Sequence, residues 1–412
     1  MENIVIVGNG QAGVQLVDSL RAEGYAGKIT LLGEENQLPY QRPPLSKDYL
    51  AAGSQPQSLP LRAASFYRDN TVDSRLGVQV IAVDRRTRTV RLGDGSEVEY
   101  SKLVLATGAA NRELTVPGSD LAGIHGLRTL ADAEVVHARL DTVRSIVVVG
   151  AGFIGLEFAA AARQRGIDVT VLEFADRPMG RAVSPAISEY FADAHRRAGV
   201  NLQLGDGIAS FEGRNGHVTT VVGTTGRSYP ADFVLVGIGV EPRTELASAA
   251  GLPVQNGITV DAAMCTMDPD IFALGDCANY PNRHAGARTR LESVQNATDQ
   301  ARHTAKAIVG EAEEYAVLPW FWSQQGNLKL QIAGLVRPGD QTIVRGEPAT
   351  GKFSVFCFRD GELAAVESVN QPADHMAARR LLGQRRSLST AQARDPEFDF
   401  RNYSKLQPAV AG

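Results

Sequence analysis

The chain spells a glycine-rich turn twice, 142 residues apart: Gly8-Asn9-Gly10-Gln11-Ala12-Gly13 and Gly150-Ala151-Gly152-Phe153-Ile154-Gly155. Each copy follows a short β-branched apolar run, Ile4-Val5-Ile6-Val7 or Ile146-Val147-Val148-Val149, and opens a helix-compatible stretch. A parallel strand ending in Gly-x-Gly turns too tightly for a Cβ. The second glycine lets backbone approach a pyrophosphate, and the third lets the helix sit close on the strand. The helix N-terminus then aims unpaired N–H groups and partial positive charge at the phosphates. A carboxylate about 20 residues further on accepts the ribose hydroxyls. Glu34 stands 21 positions after Gly13, closing Ile29-Thr30-Leu31-Leu32-Gly33, and Glu173 stands 18 after Gly155, closing Val169-Thr170-Val171-Leu172. One such motif is weak, because ordinary βα units also turn on glycines. Two complete contexts imply two dinucleotides in one chain, and electrons passed between them.

Glu173 also bears on the second nucleotide. A carboxylate there pairs with a free 2′-hydroxyl and repels a 2′-phosphate, which favours NADH over NADPH. Arg177 and Arg181 nearby pull the other way, since arginine suits a 2′-phosphate.

With 412 residues the chain has room for two or three domains. The first nucleotide unit, expected over 1–110, ends in the strand Leu103-Val104-Leu105-Ala106 and the turn Thr107-Gly108, after a small antiparallel excursion between Arg85 and Tyr100. The second, over 111–240, repeats the plan: a polar hairpin region at Arg214 to Tyr229, then Phe233-Val234-Leu235-Val236 before Gly237-Ile238-Gly239. Residues 241–314 hold the strand Ile271-Phe272-Ala273-Leu274-Gly275-Asp276 and a helical pattern from Val294 to Val309, which returns the chain to the first domain. From 315 to 412 alternating runs such as Phe353-Ser354-Val355-Phe356-Cys357-Phe358 predict an α+β domain with a polar tail.

A net charge of −4 leaves no footprint for nucleic acid or an anionic membrane. No run approaches the 18 or so apolar residues of a membrane span. The first strand begins at Ile4 and leaves no room for a leader, so a cytoplasmic enzyme is expected. Cys265, Cys277 and Cys357 form no CxxC and no metal-ligand cluster. No metal is expected. A dithiol or cysteine-sulfenate mechanism has no cysteine to use before residue 265.

Taken together, the two glycine turns, Arg42-Pro43-Pro44-Leu45-Ser46-Lys47, Ala106-Thr107-Gly108, Gly275-Asp276-Cys277, Glu292-Ser293-Val294 and Trp320-Phe321-Trp322-Ser323 resemble the FAD-dependent, NADH-linked ferredoxin reductases of the putidaredoxin reductase type. The resemblance covers nearly the whole chain. It implies an α/β fold: two Rossmann-like FAD/NAD(P)-binding domains of the glutathione reductase type plus the C-terminal α+β domain. It also implies FAD and NADH as cofactors and a 2Fe–2S ferredoxin as partner, which supplies a haem-thiolate monooxygenase or a ring-hydroxylating dioxygenase. Alternatives are a rubredoxin reductase or NADH oxidase, or a redox-signalling protein similar to apoptosis-inducing factor. The last is expected to carry a targeting segment and a strongly basic surface, and a net charge of −4 does not fit such a surface.

The resemblance distributes roles. Lys47 is placed beside the flavin's reactive nitrogen, where a fixed cation stabilises the reduced anion, with Glu157 as its ion-pair partner. Alone, Lys47 reads equally as a solvated surface lysine, and Glu157 as a favourable charge on the first turn of its helix. Asp276 is expected to hold the ribityl chain, or else to serve as a turn or cap residue. The helix beginning at Val294 points its positive end at the flavin. Arg42, Val80 and Arg128 complete the FAD site with Gly8, Gly10, Ala12, Gly13, Glu34, Thr107 and Gly108, Val80 through its backbone only, unless its side chain is core. Gly150, Gly152, Ile154, Gly155, Glu173 and Gly239 belong to the second nucleotide. Trp320 and Trp322 either cover the flavin face on the redoxin side or are core aromatics. Arg62, Arg302 and Lys329 are candidate docking charges, and His195, His303 and His375 stand in no pattern.

Overall fold

In a computed structural model, residues 2–53, 59–311 and 313–406 are described. Ala312 and the end of the polar tail lie outside them. Contacts divide the chain into two units, Met1–Gln41 with Ser58–Ala110 and Val240–Pro319, and Arg42–Gln57 with Asn111–Gly239 and Trp320–Gly412.

The first unit is built on a five-stranded parallel sheet in the order Ile271–Ala273, Lys102–Leu105, Asn3–Val7, Lys28–Leu32, Val72–Arg75. Its central strands are near-continuous apolar runs, as strands covered on both faces must be. On one face lie Leu16, Leu20 and Ala301 of the helices Gln11–Ala22 and Val294–Ile308. On the other lie Val90 and Val98 of a three-stranded antiparallel sheet, with Tyr280. The strand order reverses beside Asn3–Val7, and such a switch point opens a crevice at the carboxyl ends of the strands.

The second unit repeats the device with the order Asn201–Leu204, Asp168–Glu173, Ser145–Val149, Phe233–Val236, Ile124–Gly126, all parallel. It also holds a five-stranded antiparallel sheet in which Trp320–Gln325 pairs Leu328–Gly334, followed by Glu362–Val369, Lys352–Arg359 and Gln341–Glu347. The expected alternation does not extend to burial in Lys352–Arg359. Phe353 through Phe358 are all buried, because Tyr190 packs on Phe353, at 4.7 Å between ring centroids, and Phe400 on Phe356, at 5.0 Å. Among the described residues no helix is long and apolar enough to cross a membrane.

Glu367 lies fully buried in this second sheet. Its Oε1 accepts from the Ser184 backbone N–H at 3.0 Å, and the Cys357 Sγ lies 3.6 Å from Oε2. Burial pushes its carboxyl up to about 7. A carboxyl raised in the folded state contributes stability below the unfolded value of 4.5 and loses it as pH rises through about 7. Glu367→Gln should therefore gain on the wild type by on the order of 2 kcal/mol between about pH 5.5 and pH 8.5. Urea midpoints at the two pH values check this; an equal difference at both would overturn it.

Candidate active site

In the first unit Gly8 has φ +111°, and a Cβ on it would lie 2.1 Å from the Ala106 carbonyl oxygen. A Cβ on Gly13 would lie 2.0 Å from the Gly8 oxygen, whereas one on Gly10 would meet nothing within 4 Å. The outer glycines are thus fixed by packing, and the middle one opens the helix N-terminus to a ligand. Gly10 caps that helix with no side-chain hydrogen bond, which leaves its first N–H groups for an anion. Glu34 is half exposed and ion-paired with Arg243. Thr107 donates its hydroxyl to the Arg243 carbonyl at 2.6 Å, and Gly108 has φ +69°.

Asp276 sits in a single 3-10 turn, Gly275–Cys277, beyond the strand Ile271–Ala273. That turn is held by Gly275 N–H donating to Gln300 Oε1 at 2.7 Å. A Cβ on Gly275 would come within 3.2 Å of Ala12, so the Gly-Asp segment lies against the first turn of the glycine-rich helix. Ser293 caps the helix Val294–Ile308 by accepting from Asn296 N–H at 3.0 Å. The Val80 side chain packs against the core. Open backbone at Gly10, a bare helix N-terminus and nearby carboxylates fit a dinucleotide.

The second unit repeats the cradle. A Cβ on Gly150 would lie 2.5 Å from the Gly237 oxygen and one on Gly155 2.1 Å from the Gly150 oxygen, while Gly152 again faces open space. Ile154 lies in the first turn of the helix Phe153–Gln164. Both Glu173 oxygens accept from backbone, Oε2 from Ala151 N–H at 2.7 Å and Oε1 from Ala175 N–H at 2.9 Å. Arg177 turns inward and donates to the carbonyls of Gly180 at 2.6 Å and Val183 at 3.0 Å. Arg181 reaches towards Gly239, where an added Cβ would lie 3.3 Å from its guanidinium.

Lys47 lies between two short 3-10 turns, Pro43–Ser46 and Asp48–Leu50. Its Nζ is 2.6 Å from Glu157 Oε2 and 3.0 Å from the Pro43 carbonyl. The pair is well screened from solvent, with side-chain exposures of 16% and 5%, so Lys47 is no solvated surface lysine. Glu157 begins the second turn of the helix Phe153–Gln164 instead of lying on its first. The macrodipole effect fades within the first turn, so an N-terminal helix charge does not account for it.

Two hydroxyls unforeseen in the sequence complete the cluster: Ser46 donates to Glu157 Oε2 at 2.6 Å and Ser323 to Oε1 at 2.7 Å. Serines carry no periodic signal; the only hint was their place inside Arg42–Lys47 and Trp320–Ser323.

Arg42 donates to the Arg128 carbonyl at 2.7 Å. Trp320 and Trp322 are half-buried, 5.6 Å apart, with the Arg379 guanidinium 4.2 Å over Trp320. They are thus not fully enclosed core aromatics. Of the docking candidates, Arg62 pairs with Asp18 at 2.8 Å and Arg302 with Asp299 at 3.1 Å, while Lys329 is exposed. His303 bonds the Ala262 carbonyl and His375 packs its ring on Trp320. Among the described residues no cluster of metal-ligating side chains occurs.

The family model described as pyridine nucleotide-disulphide oxidoreductase matches residues 2–301, and the reductase C-terminal model matches 320–404. Rhodocoxin reductase of Rhodococcus erythropolis is 48% identical over 399 residues, 97% of this chain and 93% of that protein. A rubredoxin-NAD(+) reductase of Pseudomonas putida is 41% identical over 369 residues, 90% and 96% of the two chains. The crystal structure of the ferredoxin reductase for the CYP199A2 system from Rhodopseudomonas palustris superposes with a TM-score of 0.96 at 45% identity, covering 98% of this chain and 100% of that one. With its two dinucleotide cradles and its full-length likeness to these enzymes, the chain belongs to the pyridine nucleotide-disulphide oxidoreductase family, among its FAD- and NAD(P)H-using ferredoxin reductases.

Proposed function

We propose that this protein takes electrons from NADH and delivers them one at a time to a 2Fe–2S ferredoxin that serves a haem-thiolate monooxygenase or a ring-hydroxylating dioxygenase. The observation that carries the reading is the enclosed Lys47–Glu157 pair on the helix that opens at the second glycine turn. FAD, when bound, supplies the conversion between two-electron and one-electron traffic. Gly8, Gly10, Ala12, Gly13, Glu34, Thr107, Gly108, Asp276 and the N-terminus at Val294 would hold it, with Arg42, Val80, Arg128 and Trp322. Gly150, Gly152, Ile154, Gly155, Glu173 and Gly239 would hold NADH. Lys47 would supply a fixed cation to stabilise the negative charge of a reduced flavin, and Glu157 holds Lys47 in place. The functional domains are 1–110 with 241–314 for FAD, 111–240 for NADH and 315–412 at the C-terminus, in a cytoplasmic enzyme.

The rubredoxin-NAD(+) reductase relative supports a second reading in which rubredoxin is the acceptor. NADH-driven cytochrome c reduction, with a 2Fe–2S ferredoxin or a rubredoxin added, separates them. Strong dependence on the ferredoxin supports the proposal. Dependence on rubredoxin alone favours the second reading, and rapid NADH consumption in air indifferent to either overturns both.

Coenzyme choice follows from the same site. Glu173 is held at the turn and Arg177 is spent on backbone carbonyls, so a 2′-phosphate would meet a carboxylate with one arginine fewer to receive it. We expect kcat/KM for NADH to exceed that for NADPH by about a hundredfold, equivalent to roughly 2.7 kcal/mol. A ratio near one or below would refute it.

A further inference from the structure

We infer that Ser323, backed by Gln325 and His195, is a positioning residue that holds the Glu157 carboxylate in place and thereby fixes the position of the Lys47 ammonium. The inference rests on the proposed role of the Lys47–Glu157 pair. Side chains alternate along a strand. In Trp320–Gln325, Phe321, Ser323 and Gln325 therefore share one face, while Trp320 and Trp322 share the other. The first face lies on the helix that carries Glu157: Phe321 packs on Phe153 at 4.6 Å, and Ser323 reaches the carboxylate itself.

The hydrogen bonds run one way. His195 Nε2 lies 2.7 Å from Gln325 Oε1, which can only accept, so that ring nitrogen carries the proton. Gln325 Nε2 donates to Ser323 Oγ at 3.3 Å, and Ser323 passes its own proton forward to Glu157 Oε1 at 2.7 Å. Lys47 and Ser46 meet the other oxygen, each at 2.6 Å. Ser323 is fully buried, with Gln325, His195 and Glu157 all under 6% exposed. Burial lowers the His195 pKa, which leaves the ring a neutral donor.

A buried carboxylate is costly unless its lone pairs are met, and a chain of donors in a low dielectric polarises towards its anionic end. With Ser323 absent, Oε1 loses its donor. The carboxylate is then free to turn towards other donors, which displaces the ammonium of Lys47 paired with its other oxygen. The duty of this face is separate from that of Trp320 and Trp322, which lie on the other face of the strand.

The test compares Ser323→Ala, Ser323→Thr and Lys47→Met as FAD-loaded proteins, by anaerobic stopped flow with NADH and by dye equilibration of the flavin midpoint potential. Ser323→Ala should lower the limiting rate of flavin reduction about tenfold, as expected for losing one hydrogen bond to a charged group. It should lower the midpoint potential and leave the NADH Kd within about twofold. Ser323→Thr, which keeps the hydroxyl, should restore rate and potential. If Ser323→Ala proves too unstable to load, Gln325→Met, one bond further from the carboxylate, should give the same signature at about threefold. A slow Lys47→Met beside an unchanged rate and potential in Ser323→Ala, or in Gln325→Met where that replaces it, would overturn this inference alone. A Lys47→Met that reduces at the normal rate would overturn the reading beneath it.

Discussion

Lys47→Met is expected to slow flavin reduction by NADH roughly 100- to 1,000-fold while FAD stays bound, the usual effect of deleting one preorganised charge or donor at a site of developing charge. Methionine keeps the length and apolar stem of lysine, so packing between the two 3-10 turns survives. Removing one partner of a buried ion pair commonly destabilises a protein by about 3–5 kcal/mol. Here the loss should be nearer 1–3 kcal/mol, because Ser46 and Ser323 still donate to Glu157. The NADH Kd should hardly move, since the cation is needed when charge arrives on the flavin and not when the coenzyme docks. Anaerobic stopped flow gives rate and affinity together. A wild-type limiting rate would remove Lys47 from the chemistry and leave it a structural cation.

The second large effect lies at Gly155. A Cβ there would sit 2.1 Å from the Gly150 oxygen and 3.3 Å from the Val148 side chain, so even the smallest side chain forces backbone apart. Gly155→Val should weaken NADH binding more than about a hundredfold, roughly 2.7 kcal/mol, by moving the turn that cradles the pyrophosphate. FAD content should remain normal, because the Gly8–Gly13 turn is untouched, and dithionite should still reduce the flavin. Gly13→Val should do the reverse and empty the protein of FAD. Near-normal NADH affinity in Gly155→Val would refute the assignment of the second glycine turn to the coenzyme.

The parallel sheets were legible because their signal is local and repeated. A β-branched run, three glycines and a carboxylate at fixed spacing specify strand, turn and helix before any distant contact forms. The small antiparallel sheets followed from turn residues such as Gly93-Asp94-Gly95, now between the strands Thr89–Leu92 and Glu97–Glu99. The C-terminal strand Lys352–Arg359 was legible as a strand but not as a doubly covered one. Its second cover comes from Tyr190, 163 residues away in the chain.

Around Glu157 the contrast is sharper. The sequence, through its resemblance, named both members of the ion pair, and the structure brings them within 2.6 Å across 110 positions. It could not name the donors on Glu157, Ser46 and Ser323, or Gln325 and His195 behind Ser323. These residues come from three separate stretches of chain, and nothing in a serine or glutamine announces its partner. Nor could it foresee that Arg177 would fold back onto its own loop, or that Arg62 and Arg302 would pair with neighbouring aspartates.

By itself the sequence determined the kind of machine: two dinucleotide cradles, the missing early cysteines and the family motifs. These depend on backbone geometry and residue type at short range. Only the tertiary structure decided which polar groups are satisfied by which. A buried carboxylate collects its donors from wherever the fold brings them within about 3 Å, and that proximity is a property of packing rather than of spacing along the chain.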